Sequence, residues 1–271
     1  MPQAQVSRGP EKEIIRLEHL AEYELLAGFS WPTQPYDPGR DWDLGYVVYM
    51  FPNPKRPPLG WGHLALAKRT SARPGCFDLS IRSAVADDFR YWQMLEAVLT
   101  CRGDATATPI SWSAESGGRT PEGATIFESR LVQQGVVEGG IVTHTLNGVN
   151  VRGAFGGALI EARALYAVIM GLPERFAPIE FTLLDDLRML KAGHRLQPGG
   201  TKAFTHAGET RVLRRILHTG RGIFPHEYWT DTTGHLLFAI SDLGCCVLHP
   251  AAEAHACRLV EARPVRAMRA T

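Results

Sequence analysis

The sequence predicts a mainly β (α+β) protein: a large curled antiparallel sheet or half-barrel with a buried central helix and an N-terminal helix. Three observations predict it. About ten runs with strand character follow one another with short connections, which favours antiparallel meanders over βαβ units. One of them, Cys76 to Val85, alternates cleanly, with Phe77, Leu79, Ile81 and Val85 on one face and Asp78, Ser80 and Arg82 on the other. Only two segments have strong helical character, and the second, Ala158 to Met170, is apolar nearly all round and so calls for burial on more than one side. A twisted sheet of that many strands curls, and the central helix would lie on its concave side.

Residues 1–271 are read as a single domain in four parts: an N-terminal helix (1–30), a first strand series (44–150), a central helix (158–171) and a second strand series (178–265). In the first part Ile14, Leu17, Ala21 and Leu25 share a helical face, Pro10 suits the first turn, and Gly28 marks the stop. A proline-rich loop with Trp31 and Tyr36 leads to the strand Leu44–Phe51, a turn over Pro52–Pro58, the strand Trp61–Arg69 and the alternating run. Tyr91–Cys101 fits helix or strand, and its strand neighbours favour strand. A short extended stretch follows at Pro109–Ala114. Ala124–Val132 and Val136–Leu146 form a hairpin about Gln133-Gln134-Gly135. Gly171 and Pro173 stop the central helix. Ile179–Leu184, Arg211–His218, Glu227–Asp231, His235–Ser241 and Cys245–His249 make the second series, with Pro198-Gly199-Gly200 as a loop and one more short element after Pro250.

Composition bounds the function. Lys plus Arg is 29 and Asp plus Glu is 28, a net charge of +1 that offers no general attraction for nucleic acid or anionic membrane. The five cysteines have no CxxC spacing, so a disulfide framework and a structural zinc are disfavoured and a reducing compartment is expected. Met1 to Pro10 has no apolar run and no membrane span is visible, which places the chain in the cytoplasm, although a leader cleaved upstream would leave the same sequence.

Candidate chemistry concentrates at Gly220–Ser241, two strands joined by Asp231-Thr-Thr-Gly234. Its first strand alternates His226, Tyr228 and Thr230 on one face with Glu227, Trp229 and Asp231 on the other, and a slip of one residue exchanges the two sets. The first set would supply a base and an acid; the second flanks Trp229 with carboxylates, an arrangement suited to a sugar or aromatic ring. Asp231 also suits the start of the turn. The pattern Gly222, Pro225, Tyr228, Trp229, Asp231, Gly234, Leu236 resembles the closing strands of curled half-barrel proteins similar to the LolA/LolB lipoprotein carriers, over about 30 residues. The resemblance implies an apolar cavity enclosed by one sheet, in a group of envelope proteins with a few enzymes among their relatives.

His226, Tyr228, His144 and Asp231 are therefore the candidate catalytic residues, and Trp61, His63, Arg82, Trp112 and Trp229 the candidate substrate-binding residues. His218, His226 and His235 could converge across neighbouring strands, with Glu227 or Asp231, on a transition metal, but without tight histidine spacing no metal is expected. There is no G-x-S-x-G elbow, Walker loop or G-x-G-x-x-G, and no cofactor is expected. Arg152 to Gly157 could present backbone N–H groups to an anion before the central helix, or serve only as a flexible approach to it. The expected function is acid–base catalysis of lyase or isomerase type on a small, cyclic or glycosidic substrate. The alternatives are a carrier or sensor of an apolar small molecule and a structural or interaction protein. A small-molecule ligand is the expected partner; oligomeric state is not legible.

Overall fold

A computed structural model describes residues 16–50, 59–87 and 89–263. Among these residues fifteen strands form one continuous, unclosed sheet. The first eight run as a meander: β1 (Trp42–Met50), β2 (Leu59–Thr70), β3 (Cys76–Ala86), β4 (Trp92–Arg102), β5 (Pro109–Arg119), β6 (Thr125–Glu138), β7 (Ile141–Leu146) and β8 (Val149–Ala154). After β9 (Ala158–Glu161) a helix and β10 (Ile179–Asp185) follow, then a second meander of β11 (Met189–His206), β12 (Glu209–Thr219), β13 (His226–Thr230), β14 (Leu236–Ser241) and β15 (Gly244–Leu248). β15 returns to pair with β1, Tyr46 opposite Leu248, so the meanders join along a seam and β8 and β9 are the two edges. Only Phe155, Gly156 and Gly157 separate those edges in sequence. A link that short spans roughly 14 Å when extended. It forces the sheet to curl, and a Cβ at Gly153 of β8 would stand 2.7 Å from Leu190 of β11.

Cross-strand register defines an inner face. Tyr46, Leu64 and Leu66, Ile81, Leu99, Trp112, Gly135 and His144 follow one another from β1 to β7. Leu248 and Cys246, Ala239, Tyr228, Ile216 and Leu196 continue it from β15 to β11. The helix α2 (Ala164–Gly171) occupies this face, with Ala164, Leu165, Val168 and Ile169 buried and the Tyr166 ring edge-on to Tyr46 at 5.0 Å. The outer face is covered in part. Phe29 and Trp31 pack against Phe204 and Phe238, and the helix α3 (Ala252–Ala262) lies on β1 and β2 with Ala252, Ala256 and Val260 inward.

Several boundaries differ from expectation, each for a physical reason. Residues 158–161 are a strand, parallel to β10, so the sheet is mixed; the helix starts only at Ala164. The buried Glu161 carboxylate accepts bonds from the Arg163 and Ala164 N–H groups and sets that start. The expected N-terminal helix survives among the described residues only as α1 (His19–Glu22), because Glu24 takes a left-handed φ of 56° that lets Leu25, Leu26 and Phe29 reach the core; Ile14 and its first turn lie outside the described residues. The hairpin turn between β6 and β7 sits at Gly139-Gly140, both at positive φ, and not at Gln133–Gly135, which run inside β6. Pro198–Gly200 form a bulge within β11, where the register slips and Pro198 needs no N–H. The second series does not continue as strand to 265, since the i, i+4, i+8 stripe of α3 makes it a helix. Arg152 belongs to β8, and the glycines after it link two strands instead of leading into the helix. The strand choice for Tyr91–Cys101 is met by β4. The Pro52–Pro58 turn lies outside the described residues.

Candidate functional site

The inner face carries a polar group at one end, beside the N-terminus of α2. Two register rows cross there. Leu196, His218, His226, Ser241, Gly244 and Met50 form one, and Pro198, Ile216, Tyr228, Ala239, Cys246 and Val48 form the next. The two-residue period of β13 brings His226 and Tyr228 to the same side, and α2 occupies that side, so Glu227 and Trp229 point the other way. A cavity of about 540 Å³ opens here, lined by His218, His226, Tyr228, Tyr166, Ser241 and Cys246 with Val48, Leu64, Leu165, Leu183, Ile223 and Leu243.

The hydrogen bonds sort these groups into engaged and open. Tyr46 donates its hydroxyl to the Leu236 carbonyl at 3.0 Å. Tyr166 faces the Cys246 thiol. His218 Nε2 and His194 Nδ1 share one proton over 2.9 Å, between imidazoles that are both almost fully buried. His226 donates Nδ1–H to the Phe224 carbonyl at 2.8 Å, which leaves Nε2 as its lone-pair nitrogen. Neither that nitrogen nor the Tyr228 hydroxyl makes a hydrogen bond among the described residues. The rings of His226 and Tyr228 lie 6.1 Å apart and 14° from parallel, and His218 is 5.8 Å from His226.

Burial pushes the titrations of this pair apart. It lowers His226, against the Phe224 carbonyl, Asp185 and Asp242, which raise it. It raises the Tyr228 phenol far above the usual range, helped by Cys246. His218 falls to about 3 through burial and then through His226 and His194. At neutral pH the imidazoles are therefore neutral and the phenol protonated. Charged groups ring the rim: Arg163 pairs with Glu161 at 3.1 Å and Asp186 at 3.5 Å, Arg188 with Asp186 at 2.9 Å, and Lys191 with Asp185 at 2.6 Å.

The other sequence-selected residues lie apart from this cavity. Asp231 closes the β13–β14 turn, accepting from Thr233 N–H at 3.0 Å, the Thr233 hydroxyl at 2.7 Å and His235 N–H at 3.0 Å. His235 sits in that turn against Tyr36, so it does not join His218 and His226. His144 is buried on β7 opposite Gly135, where burial and Arg188 lower its pKa. Trp112 fills the space over Gly135, whose Cβ would fall 2.0 Å from the ring. Trp229 is on the outer face, its Nε1–H donated to Glu227 and its ring under Arg215. Trp61 lies near the Arg263 guanidinium. His63 and Arg82 line a separate cleft of about 700 Å³ on the outer face of β1–β3, with Asp43, His249 and Glu253. That cleft is the larger, and among the described residues no side chain–side chain hydrogen bond joins its polar groups, although Glu253 and Arg82 both act on the charge of His63. Among the described residues no three His, Cys, Asp or Glu side chains are arranged to hold a metal ion.

Tyr46, Tyr166, His194, Ser241 and Cys246 complete the inner site and were not selected from sequence. The tyrosine in an otherwise apolar α2 was a readable signal. His194 was not, because its partner His218 lies on the next strand, 24 residues on in the chain.

No protein-family model matches the sequence, and no curated protein matches it. A solved β-barrel-like protein, a domain of unknown function (DUF1849) from Brucella abortus, is similar at 12% identity, covering 76% of this chain and 94% of its own, with a TM-score of 0.47. Among the described residues no helix is long and apolar enough to cross a membrane.

Proposed function

We propose that the chain is an enzyme of lyase or isomerase type that moves protons with side chains at the His226–Tyr228 cavity. One observation carries this reading: Tyr46, Tyr166 and His218 Nε2 are tied to other groups, while His226 Nε2 and the Tyr228 hydroxyl remain open side by side in the same cavity. A neutral imidazole with a free lone pair is a base, and a phenol held protonated is a donor to an oxygen that gains negative charge. His226 takes a proton from carbon, and Tyr228 donates to the adjacent oxygen of the substrate. In an isomerisation the proton leaves His226 for a second carbon and Tyr228 recovers its own, so the enzyme ends as it began. His218, held by His194, is a positioning residue that backs the His226 ring. Five free cysteines fit a cytoplasmic setting for it.

A second reading is a carrier, of the kind the LolA/LolB resemblance implies. The apolar share of the lining, Val48, Leu64, Leu165, Leu183, Ile223 and Leu243, favours it. Incubation with a small-metabolite extract, followed by mass spectrometry of the solution, separates the two. The catalytic reading expects a compound consumed by the wild type and spared, by a factor of ~10² to 10⁴ in rate, with His226→Gln or Tyr228→Phe. Stoichiometric retention of an unaltered compound, with none consumed, would establish the carrier and sink the enzyme.

A further inference from the structure

The geometry points to an uncharged substrate: a compact ring compound whose carbonyl-type oxygen accepts from Tyr228 and whose neighbouring C–H meets His226. This inference rests on the acid–base reading of that cavity and names the class of molecule it takes.

Charge at the rim carries the argument. Arg163 is the cation of the cavity lining, and its guanidinium is committed to Glu161 on one side and Asp186 on the other. Asp186 is shared with Arg188, and Asp185 is held by Lys191. Three carboxylates thus face three cations, each inside a pair. An anionic substrate would have to displace Asp186 or the buried Glu161 from Arg163, and a cationic one would have to displace Lys191 or Arg188. Either would give up its own hydration to compete with a pair already formed, so neither sign of charge finds a free partner here, and an anion would in addition compete with the fully buried Glu161.

The ionic side chains of the lining itself, Arg163, Asp185 and Asp186, are all held in these pairs. Beside them stand the open Tyr228 hydroxyl, a donor, and the open His226 Nε2, an acceptor, flanked by Ser241. A site that holds one unfilled donor beside one unfilled acceptor selects a molecule with the complementary acceptor and acidic hydrogen. The Tyr166, Tyr228 and His218 rings and the Leu64, Leu165 and Leu183 side chains form the rest of the wall, which favours a flat apolar body. About 540 Å³ is room for a small bicyclic molecule and not for a polymer.

Three isosteric probes test this by ligand-observed NMR titration: acetophenone (neutral carbonyl), benzoate (anion) and benzylammonium (cation). Acetophenone is expected to bind at least ~10-fold more tightly than either ion, and Tyr228→Phe to weaken it by about 5- to 10-fold. A Tyr228→Phe protein whose thermal midpoint matches the wild type keeps that comparison valid; if the midpoint falls, competition among the three probes on the wild type alone decides. Benzoate or benzylammonium binding as tightly as acetophenone, or no binding by any probe, would overturn the inference. Failure here is distinct from failure of the catalytic reading. Ion binding with His226-dependent consumption of a metabolite would remove the substrate class and keep the catalysis. Selective acetophenone binding without such consumption would do the reverse.

Discussion

Tyr166 of α2 meets Tyr46 and Tyr228 of the sheet, and the hydroxyls differ in one respect that can be measured. Tyr46 holds the buried Leu236 carbonyl, whereas Tyr228 holds nothing among the described residues. Removing the first hydroxyl strands an acceptor; removing the second strands none. Tyr46→Phe is therefore expected to lower stability by ~1 kcal/mol and Tyr228→Phe by less than about 0.5 kcal/mol, read from urea midpoints. An equal loss in both would show that Tyr228 is a structural donor. The histidines give a second expectation. His218 titrates near 6.5 when unfolded and at about 3 in the fold, so the unfolded chain binds its proton first. Its contribution to stability is whole above pH 6.5 and is lost progressively as pH falls from there toward 3. His194 and His226 shift in the same direction and add to that loss. His218→Phe should flatten the fall in melting temperature between pH 6.5 and 4; an unchanged slope would mean that the acid sensitivity lies elsewhere. At this scale the alternation of His226 with Tyr228 was legible, because period two follows from the strand itself. Which set faced inward was not, because that depends on where α2 lies, and α2 is more than 50 residues away in the chain.

At the scale of elements, the stretch around Glu161 shows how a single side chain divides an apolar run into strand and helix. Propensity over Ala158–Met170 reads as one helix. The chain instead spends Ala158–Glu161 pairing with Phe181–Leu184 and turns at Glu161. There the carboxylate, fully buried, takes the N–H groups of Arg163 at 2.7 Å and Ala164 at 3.0 Å and the Arg163 guanidinium at 3.1 Å. Burial pushes this carboxyl up, and Arg163 with the two backbone donors opposes the rise. Glu161→Ala leaves those donors and the Arg163 charge without their partner, an expected loss of ~3 to 5 kcal/mol, with Glu161→Gln falling between it and the wild type. Thermal melts of the two variants check the order; a Glu161→Ala protein as stable as the wild type would mean that α2 is set by its apolar packing alone. The Ala252, Ala256, Val260 stripe of α3 carries helical spacing, although that stretch reads from sequence only as a short element closing the second strand series.

At the scale of the whole molecule, curling and strand order were legible from the number of short strands, while the closing seam was not, since nothing local marks β1 as the partner of β15. That seam joins residues some 200 positions apart. It also decides whether the chain is one domain, as we propose. Residues 1–156 would contain β1 to β8 and expose Leu66, Ile81, Leu99 and Trp112, which α2, β9 and their neighbours cover in the whole chain. Residues 157–271 would contain α2 with Tyr166 but lack Tyr46, the ring it meets at 5.0 Å, and α3 would lose the β1–β2 surface it packs on. Each half thus loses apolar burial and a sheet partner at the same cut, and neither retains a covered inner face. The Gly156-Gly157 link is itself exposed and unpaired, so a cut there removes connectivity and little packing. The two fragments, prepared separately, are expected to melt without a cooperative transition and, when mixed, to recover one together with the near-ultraviolet circular dichroism of the intact chain. A cooperative transition in either fragment alone would divide the chain into two domains, and with it the cavity, whose lining draws Val48 and Leu64 from one half and His226 and Tyr228 from the other.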